Sequence, residues 1–329
     1  WDGFYTALYQ VNSLIVALDK LAASQSRNEI LGVASFFRGL IYYHLVSRYG
    51  EVPILEAPFS GDIAASTEEE GWSFVEKNFQ VAIDYAPTFS DKYYVSKQAA
   101  KALMARTKLA QGKLTEAAKL AEEVIGDANF SLADFDQIFR GKANREEIFS
   151  FVNLLNESSV NLSASLYSRA SANGGSYTYA PTTKVMNMFE PDDKRTAISI
   201  DMQETNEVIN KYPGGEVTTD PIIITRLGEM YLISAEAQGL SKGLSRLNEL
   251  RNFRGLPSVH PATEEDFIDA ILNERHTELL AEGFRWFDLV RLNRLESDLG
   301  FERKYNRLPI PAKERSLNKL LNQNSYWAN

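Results

Sequence analysis

The chain has no cysteine and only three histidines in 329 residues. Without thiols it can form neither a disulfide nor a thiolate metal site, so an oxidising compartment is allowed but not required. His44, His260 and His276 are too scattered in sequence to suggest a metal centre, and no cofactor is expected. No apolar run of about 18 residues occurs, so no segment reads as a membrane-spanning helix. Positive charge is in deficit: 35 Lys and Arg stand against 44 Asp and Glu, a net charge of −9. That balance disfavours nucleic acid, whose phosphates need a basic footprint. No G-x-S-x-G elbow is present, which leaves Ser-His-Asp catalysis without support. Asn173-Gly174-Gly175-Ser176 lacks the Lys and the strand–loop–helix setting of a phosphate-binding loop and reads as a turn.

What is there is ordinary for a globular protein, with 44% apolar and 24% charged residues. Helical periodicity dominates and predicts helices near 2–23, 28–48, 67–86, 96–111, 114–126, 224–240, 242–253, 264–281 and 284–294. In 28–48, Ile30, Ala34, Phe37, Ile41 and Leu45 form one stripe and Phe36, Leu40, Tyr43 and Val46 a second. A helix apolar on two faces is sandwiched between neighbours. Ala105, Lys108, Gly112, Leu114, Ala117, Ala121 and Val124 fall at tetratricopeptide spacing, and Val75, Phe79, Ala82 and Pro87 match the second helix of another unit. One such hairpin cannot bury its own apolar face, so about four pairs are expected to stack. Thr263 ahead of Glu264, Glu265 and Asp266 marks a helix start.

The middle differs. Residues 127–223 lack sustained helical periodicity, with a short strand expected at Ile148–Val152 and a turn at Pro213-Gly214-Gly215. From Asn156 to Pro181 the chain is rich in Ser, Asn, Gly and Tyr, and charged only at Glu157 and Arg169. Tyr167, Arg169, Asn173, Tyr177 and Tyr179 are the ligand-binding candidates. A tyrosine offers a flat apolar face and a hydroxyl at low entropy cost. A sugar ring would lay its C–H face on it and give its hydroxyls to Asn, Ser and Arg. The competing reading is a loop docked on the scaffold with its tyrosines half buried. Tyr93 and Tyr94, in a helix–helix connection, are further candidates.

The densest motif is Glu274–Arg291, charged yet carrying Leu279, Leu280, Trp286, Phe287 and Leu289 around Gly283. It reads as two helical pieces hinged near Gly283. Glu274, Glu278 and Glu282 recur every four residues with Arg275 and Arg285 within a turn, an ion-pair ladder fixing how helices meet. A glycosidase would use two such carboxylates as acid and base or nucleophile; structural charge networks commonly mimic such sites. No catalytic residue is assigned.

This motif closely resembles the C-terminal signature E-R-x-x-E-L-x-x-E-G-x-R-x-x-D-L-x-R of the SusD/RagB family. Arg48–Ile54, Ser96–Leu103, Glu146–Phe149, Arg226–Ala237, Leu247–Arg251, Leu308–Pro311 and Gln323–Tyr326 resemble further family segments in the family's order. One departure is Asn252-Phe253-Arg254-Gly255, where the family usually has a small residue before Gly. The resemblance implies a cell-surface nutrient-uptake lipoprotein of the outer membrane that binds glycans or peptides. It also implies a SusC-like TonB-dependent transporter as partner and a lipid anchor on a segment outside this chain.

The expectation is therefore a mostly α protein, a tetratricopeptide-like hairpin array with an inserted irregular segment. Residues 1–329 form one domain, with a helical scaffold at 1–126 and 224–294, an insertion at 127–223 and a tail at 295–329. Its expected function is non-catalytic capture of an oligosaccharide or peptide for polysaccharide utilisation, with contacts mainly from the insertion. A tetratricopeptide adaptor for other proteins is the alternative, and a glycoside hydrolase the least favoured.

Overall fold

The computed structural model describes residues 1–154, 162–167, 175–212 and 220–328. The fold is mostly α-helical, and the chain divides into two compact units. The first comprises Trp1–Ser90, Val95–Lys113 and Trp286–Asn329; the second comprises Asp91–Tyr94 and Leu114–Arg285.

The first unit is built on α1 (Asp2–Leu18), α2 (Gln25–Tyr49), α3 (Glu68–Tyr85) and α4 (Lys97–Ala110). Side-chain caps set their starts. Ser24 accepts from the Arg27 N–H, Ser96 accepts from the Ala99 N–H, and Thr67 and Glu70 form a reciprocal capping box. The α2 helix is long and apolar enough to cross a membrane by composition, yet it is mostly buried inside the protein. Phe36, Leu40, Tyr43 and Val46, the second predicted stripe, are all buried, as are Val75 and Phe79 of α3. Ile30, on the other stripe, is 44% exposed. On α4, Ala99, Ala102 and Ala105 are fully buried, small enough for close helix approach. Arg38 donates to Asn78 Oδ1 at 2.6 Å and to Asn12 Oδ1 at 3.3 Å, which links these three buried polar side chains.

The chain re-enters this unit through α11 (Arg285–Arg291), α12 (Leu295–Leu299), a 3₁₀ turn and α13 (Ala312–Leu317). The tail is stitched to the end of α2. Leu308 N–H donates to the Arg48 carbonyl at 2.6 Å, and Asn324 Nδ2 donates to the carbonyls of Tyr49 and Leu308. Trp286 meets Phe301 edge-on at 5.4 Å, and the Arg48 guanidinium lies 5.1 Å over Phe287.

In the second unit α5 (Leu114–Ile125) and α10 (Glu264–Glu278) both pack on α9 (Leu227–Phe253). Two helices expected at 224–240 and 242–253 are one element broken at Gly239, whose φ of 69° and ψ of 178° leave the helical region. The start of that first helix is corrected. Residues 222–226 form strand β4 (Ile222–Arg226), because three consecutive isoleucines and a threonine favour the extended chain. It pairs antiparallel with β1 (Glu147–Phe151), the expected strand. A hairpin of β2 (Ile200–Gln203) and β3 (Asn206–Ile209) lies between in the chain, along with the short helices α7 (Thr183–Met186) and α8 (Thr196–Ser199), and the short helix α6 (Phe135–Phe139) precedes β1. These short elements lack the sequence length for a periodic signal, so periodicity does not find them.

The expected helix 264–281 also stops early, at Glu278. Its last carbonyls need partners. Lys211 Nζ and Arg226 Nη2 donate to the Glu278 carbonyl at 2.8 and 2.7 Å, which caps the helix with positive charge. The chain then turns through Ala281 and Gly283, both at positive φ.

Candidate functional site

Glu274, Glu278 and Glu282 converge in the second unit, but their cations are not local. Arg226 donates to Glu278 Oε1 at 2.6 Å, to Glu146 Oε1 at 2.8 Å and to both oxygens of Glu282 at 2.9 Å. Arg254 bridges Glu146 and Glu278, and Arg195 bridges Glu274, Glu278 and Asp193. Arg251 joins Glu274 to Glu190, and Lys211 reaches Glu282 at 2.7 Å. The ladder drawn from helical spacing is thus corrected to a cluster of long-range pairs. Arg285 donates to the Leu272 carbonyl at 3.3 Å, and Arg275 lies over Phe284.

The cluster is deeply buried, with Arg195, Arg226, Arg254, Glu146 and Glu278 each at most 2% exposed. Burial alone would push the Glu278 carboxyl up. Arg254, Arg226 and Arg195 outweigh it and hold that carboxyl well below its usual range. Glu282 is held down in the same way by Arg226 and Lys211. Burial pulls the Lys211 ammonium down to about 8 against the attraction of Glu282, and the rings of Phe135 and Phe139 lie 5.0 and 4.7 Å from it. A glycosidase acid needs a raised pKa and a face open to substrate. Glu278 and Glu282 have neither. They tie α9, α10 and the intervening loops together.

Glu146, Arg226, Arg251, Glu274, Glu278 and Glu282 all lie in the short segments that carry the family resemblance. Scattered in sequence, they meet in one cluster. Asp193, Arg195 and Lys211 lie outside every such segment, and no spacing marks them. Among the described residues no group of His, Asp and Glu is arranged to hold a metal ion.

The tyrosines are set differently from one another. Tyr167 is 3% exposed and gives its hydroxyl to Asn210 Oδ1 at 2.7 Å. Burial pushes its phenol up to about 12. It is therefore a packing residue in this structure, because its ring face is already covered. Tyr177 is half buried, donates to the Glu207 carbonyl at 2.9 Å and holds φ at 49°, a conformation uncommon outside glycine. Tyr179 is 66% exposed, but its backbone is fixed, because its N–H donates to the Ser165 carbonyl at 2.9 Å. Ser176 N–H donates to the Ala164 carbonyl at 2.6 Å. Tyr167, Tyr177 and Tyr179 are thereby brought together along paired segments anchored at β3. Arg169 and Asn173 lie outside the described residues.

Tyr93 and Tyr94 belong to another part of the same unit. They are 38% and 69% exposed. Their segment is pinned to β1, where Ser150 N–H donates to the Lys92 carbonyl at 2.9 Å and Lys92 Nζ bridges Glu147 at 2.5 Å.

The central carboxylates are taken up in buried ion pairs, and exposed aromatics sit on backbone-held segments of a mostly helical protein. Comparison with known proteins is specific. The sequence model of the SusD family matches residues 106–306, and a model described as starch-binding associating with outer membrane matches residues 1–109. The chain belongs to the SusD family. SusD-like protein P2 of Formosa agariphila is 25% identical, over 99% of this chain and 79% of the relative. A solved laminarin-binding SusD-like protein superposes with a TM-score of 0.86 at 25% identity, covering 99% of this chain and 85% of that one. A SusD superfamily protein of Parabacteroides distasonis shares the fold, with a TM-score of 0.88 at 20% identity and coverage of 99% and 84%.

Proposed function

We propose that the protein captures a neutral oligosaccharide, or in a narrower case a peptide, at the outer-membrane surface without cleaving it. It passes the ligand to a SusC-like TonB-dependent transporter and is held at the membrane by a lipid anchor. The ligand face lies in the irregular part at 127–223, on a helical scaffold at 1–126 and 224–294. The observation that carries this reading is Tyr179, a 66% exposed ring on a backbone fixed by a hydrogen bond to Ser165. An exposed aromatic on a backbone already held in place has less entropy to lose when a sugar stacks on it. Tyr177 and, at β1, Tyr93 and Tyr94 extend the candidate surface, with Tyr167 as the anchor of the loop. Arg169 and Asn173 supply hydrogen bonds in the same proposal. Membership of a family with a laminarin-binding relative supports a glycan as ligand.

The test is a binding screen of laminarin, starch and peptides by calorimetry, with the ligand mixture assayed for new reducing ends. Stacking on aromatics in nucleic-acid complexes is worth ~1–3 kcal/mol per contact, a loose guide for a sugar face. The double variant Tyr177→Ala, Tyr179→Ala should lose about tenfold or more in affinity, since ~1.4 kcal/mol is a factor of ten. Full affinity in a folded double variant would move the site to Tyr93 and Tyr94. Protein-dependent release of reducing ends would overturn the non-catalytic reading.

A further inference from the structure

A cavity of about 330 Å³ in the second unit adjoins the ion cluster and includes none of the tyrosines. Its size lies at the lower end of small-molecule sites. Arg195, Arg254 and Phe135 line its buried part, and Ala197, Ile198 and Phe253 its apolar wall. The two guanidiniums are held by the cluster, yet among the described residues neither is fully used. Arginine has five N–H groups. Arg195 spends Nε and one Nη2 hydrogen on Asp193 and both Nη1 hydrogens on Glu274 and Glu278. Arg254 spends Nε on Glu278, both Nη2 hydrogens on Glu146 and Glu278, and one Nη1 hydrogen on the Ala133 carbonyl. Among the described residues each therefore has one N–H without a partner, on a buried group that lines the cavity. An acceptor in the cavity meets donors already held in place by the cluster, so it takes their hydrogen bonds without ordering a flexible side chain.

The rest of the lining sets the chemistry of that acceptor. Asp134 offers carboxylate oxygens, Asp136 the oxygen left by its 2.5 Å pair with Lys142, and Lys194 a further donor. Phe253 is 36% exposed, with the Arg254 guanidinium 5.3 Å from its ring on one side. The positive charge of the floor is already matched by Glu146, Glu274, Glu278 and Asp193, so a free anion gains no net attraction. Hydroxyls accept from the guanidinium edges and donate to the aspartates, while an apolar ring face meets Phe253. We propose that this cavity binds one neutral polyhydroxylated ring, a single sugar unit or a cyclic polyol, at a site separate from the tyrosine loop.

The test uses the full chain carrying Tyr177→Ala and Tyr179→Ala, so that the loop is removed as a competing site. Glucose and myo-inositol are the neutral probes, and glucose 6-phosphate the anionic one. Saturation-transfer NMR reads binding, and hydrogen–deuterium exchange locates it. The neutral probes should bind in the millimolar range and protect residues 134–142 and 194–199. Ala197→Trp, which fills the cavity from an exposed position, should weaken binding at least tenfold and abolish that protection. Phe253→Ala should also weaken it at least tenfold and serves if the tryptophan variant does not fold. Absence of neutral-ring binding, unchanged binding in a folded cavity variant, or tighter binding of the phosphate would overturn the proposal. Each outcome is independent of whether oligosaccharide affinity depends on the tyrosines.

Discussion

Glu278 is the residue on which most of the second unit's charge converges, receiving Arg195, Arg226 and Arg254. Removing one partner of a buried ionic group strands the others and typically costs roughly 3–5 kcal/mol. Glu278→Ala should therefore lower the urea-unfolding free energy by about that amount. The pH dependence has a defined sign. The folded carboxyl sits well below its ordinary value of 4.5. Below that value the unfolded chain takes up a proton that the folded chain refuses, so the stabilisation is complete above it and is lost as pH falls through the folded value. The wild type should lose stability faster than Glu278→Ala between about pH 4.5 and 3. Parallel curves, or an unchanged midpoint together with lost ligand binding, would mark Glu278 as something other than a structural charge. Three carboxylates of this cluster, Glu274, Glu278 and Glu282, are legible in the sequence, since they recur every four residues beside Gly283. Their partners are not. Arg195 and Lys211 come from the irregular segment, and side-chain reach across such distances leaves no pattern in local spacing.

At the scale of the element, the start of α9 shows what the cluster demands of the backbone. A Cβ on Gly228 would lie 2.5 Å from a Glu278 oxygen and 2.7 Å from Arg226 Nη1. In an exposed helix Gly→Ala gains up to ~1 kcal/mol. At Gly228 the added methyl has no space unless the ion pairs separate, and overpacking typically costs ~1–3 kcal/mol. Gly228→Ala should thus destabilise, whereas Gly3→Ala in α1, with nothing within 4 Å of the added atom, should be neutral or favourable. Chemical denaturation of the two variants checks the contrast, and a stable Gly228→Ala would mean that the cluster yields easily. The long helices are read from sequence to within a few residues at most ends, because their apolar periodicity and caps agree. The first helix, expected to reach residue 23, ends at Leu18, and two further errors fall where a non-local partner decides. Residues 224–226 join a strand because β1 offers them a ladder, and α10 stops at Glu278 because Lys211 and Arg226 take its carbonyl.

For the whole molecule, the tyrosines proposed to meet an oligosaccharide are not the residues that hold the ion cluster together. The family segments that run through the chain supply buried ions and the helical core, so they identify the fold and leave the ligand open. The proposed contacts lie on the least periodic stretch, where composition suggests sugar binding without specifying which sugar. A scaffold this large exceeds what one small ligand requires, and the family model that matches residues 1–109 is described as associating with the outer membrane. If the protein delivers its ligand, the native form should be held beside a channel rather than free. Solubilisation of native membranes in mild detergent, followed by affinity capture through this protein, should co-purify an outer-membrane β-barrel of the TonB-dependent type. Capture should persist in Tyr177→Ala, Tyr179→Ala, because the proposed ligand contacts are not needed for docking. Recovery of the protein alone, with the membrane fraction intact, would remove the transporter from the proposal while leaving ligand capture to be judged by its own binding screen.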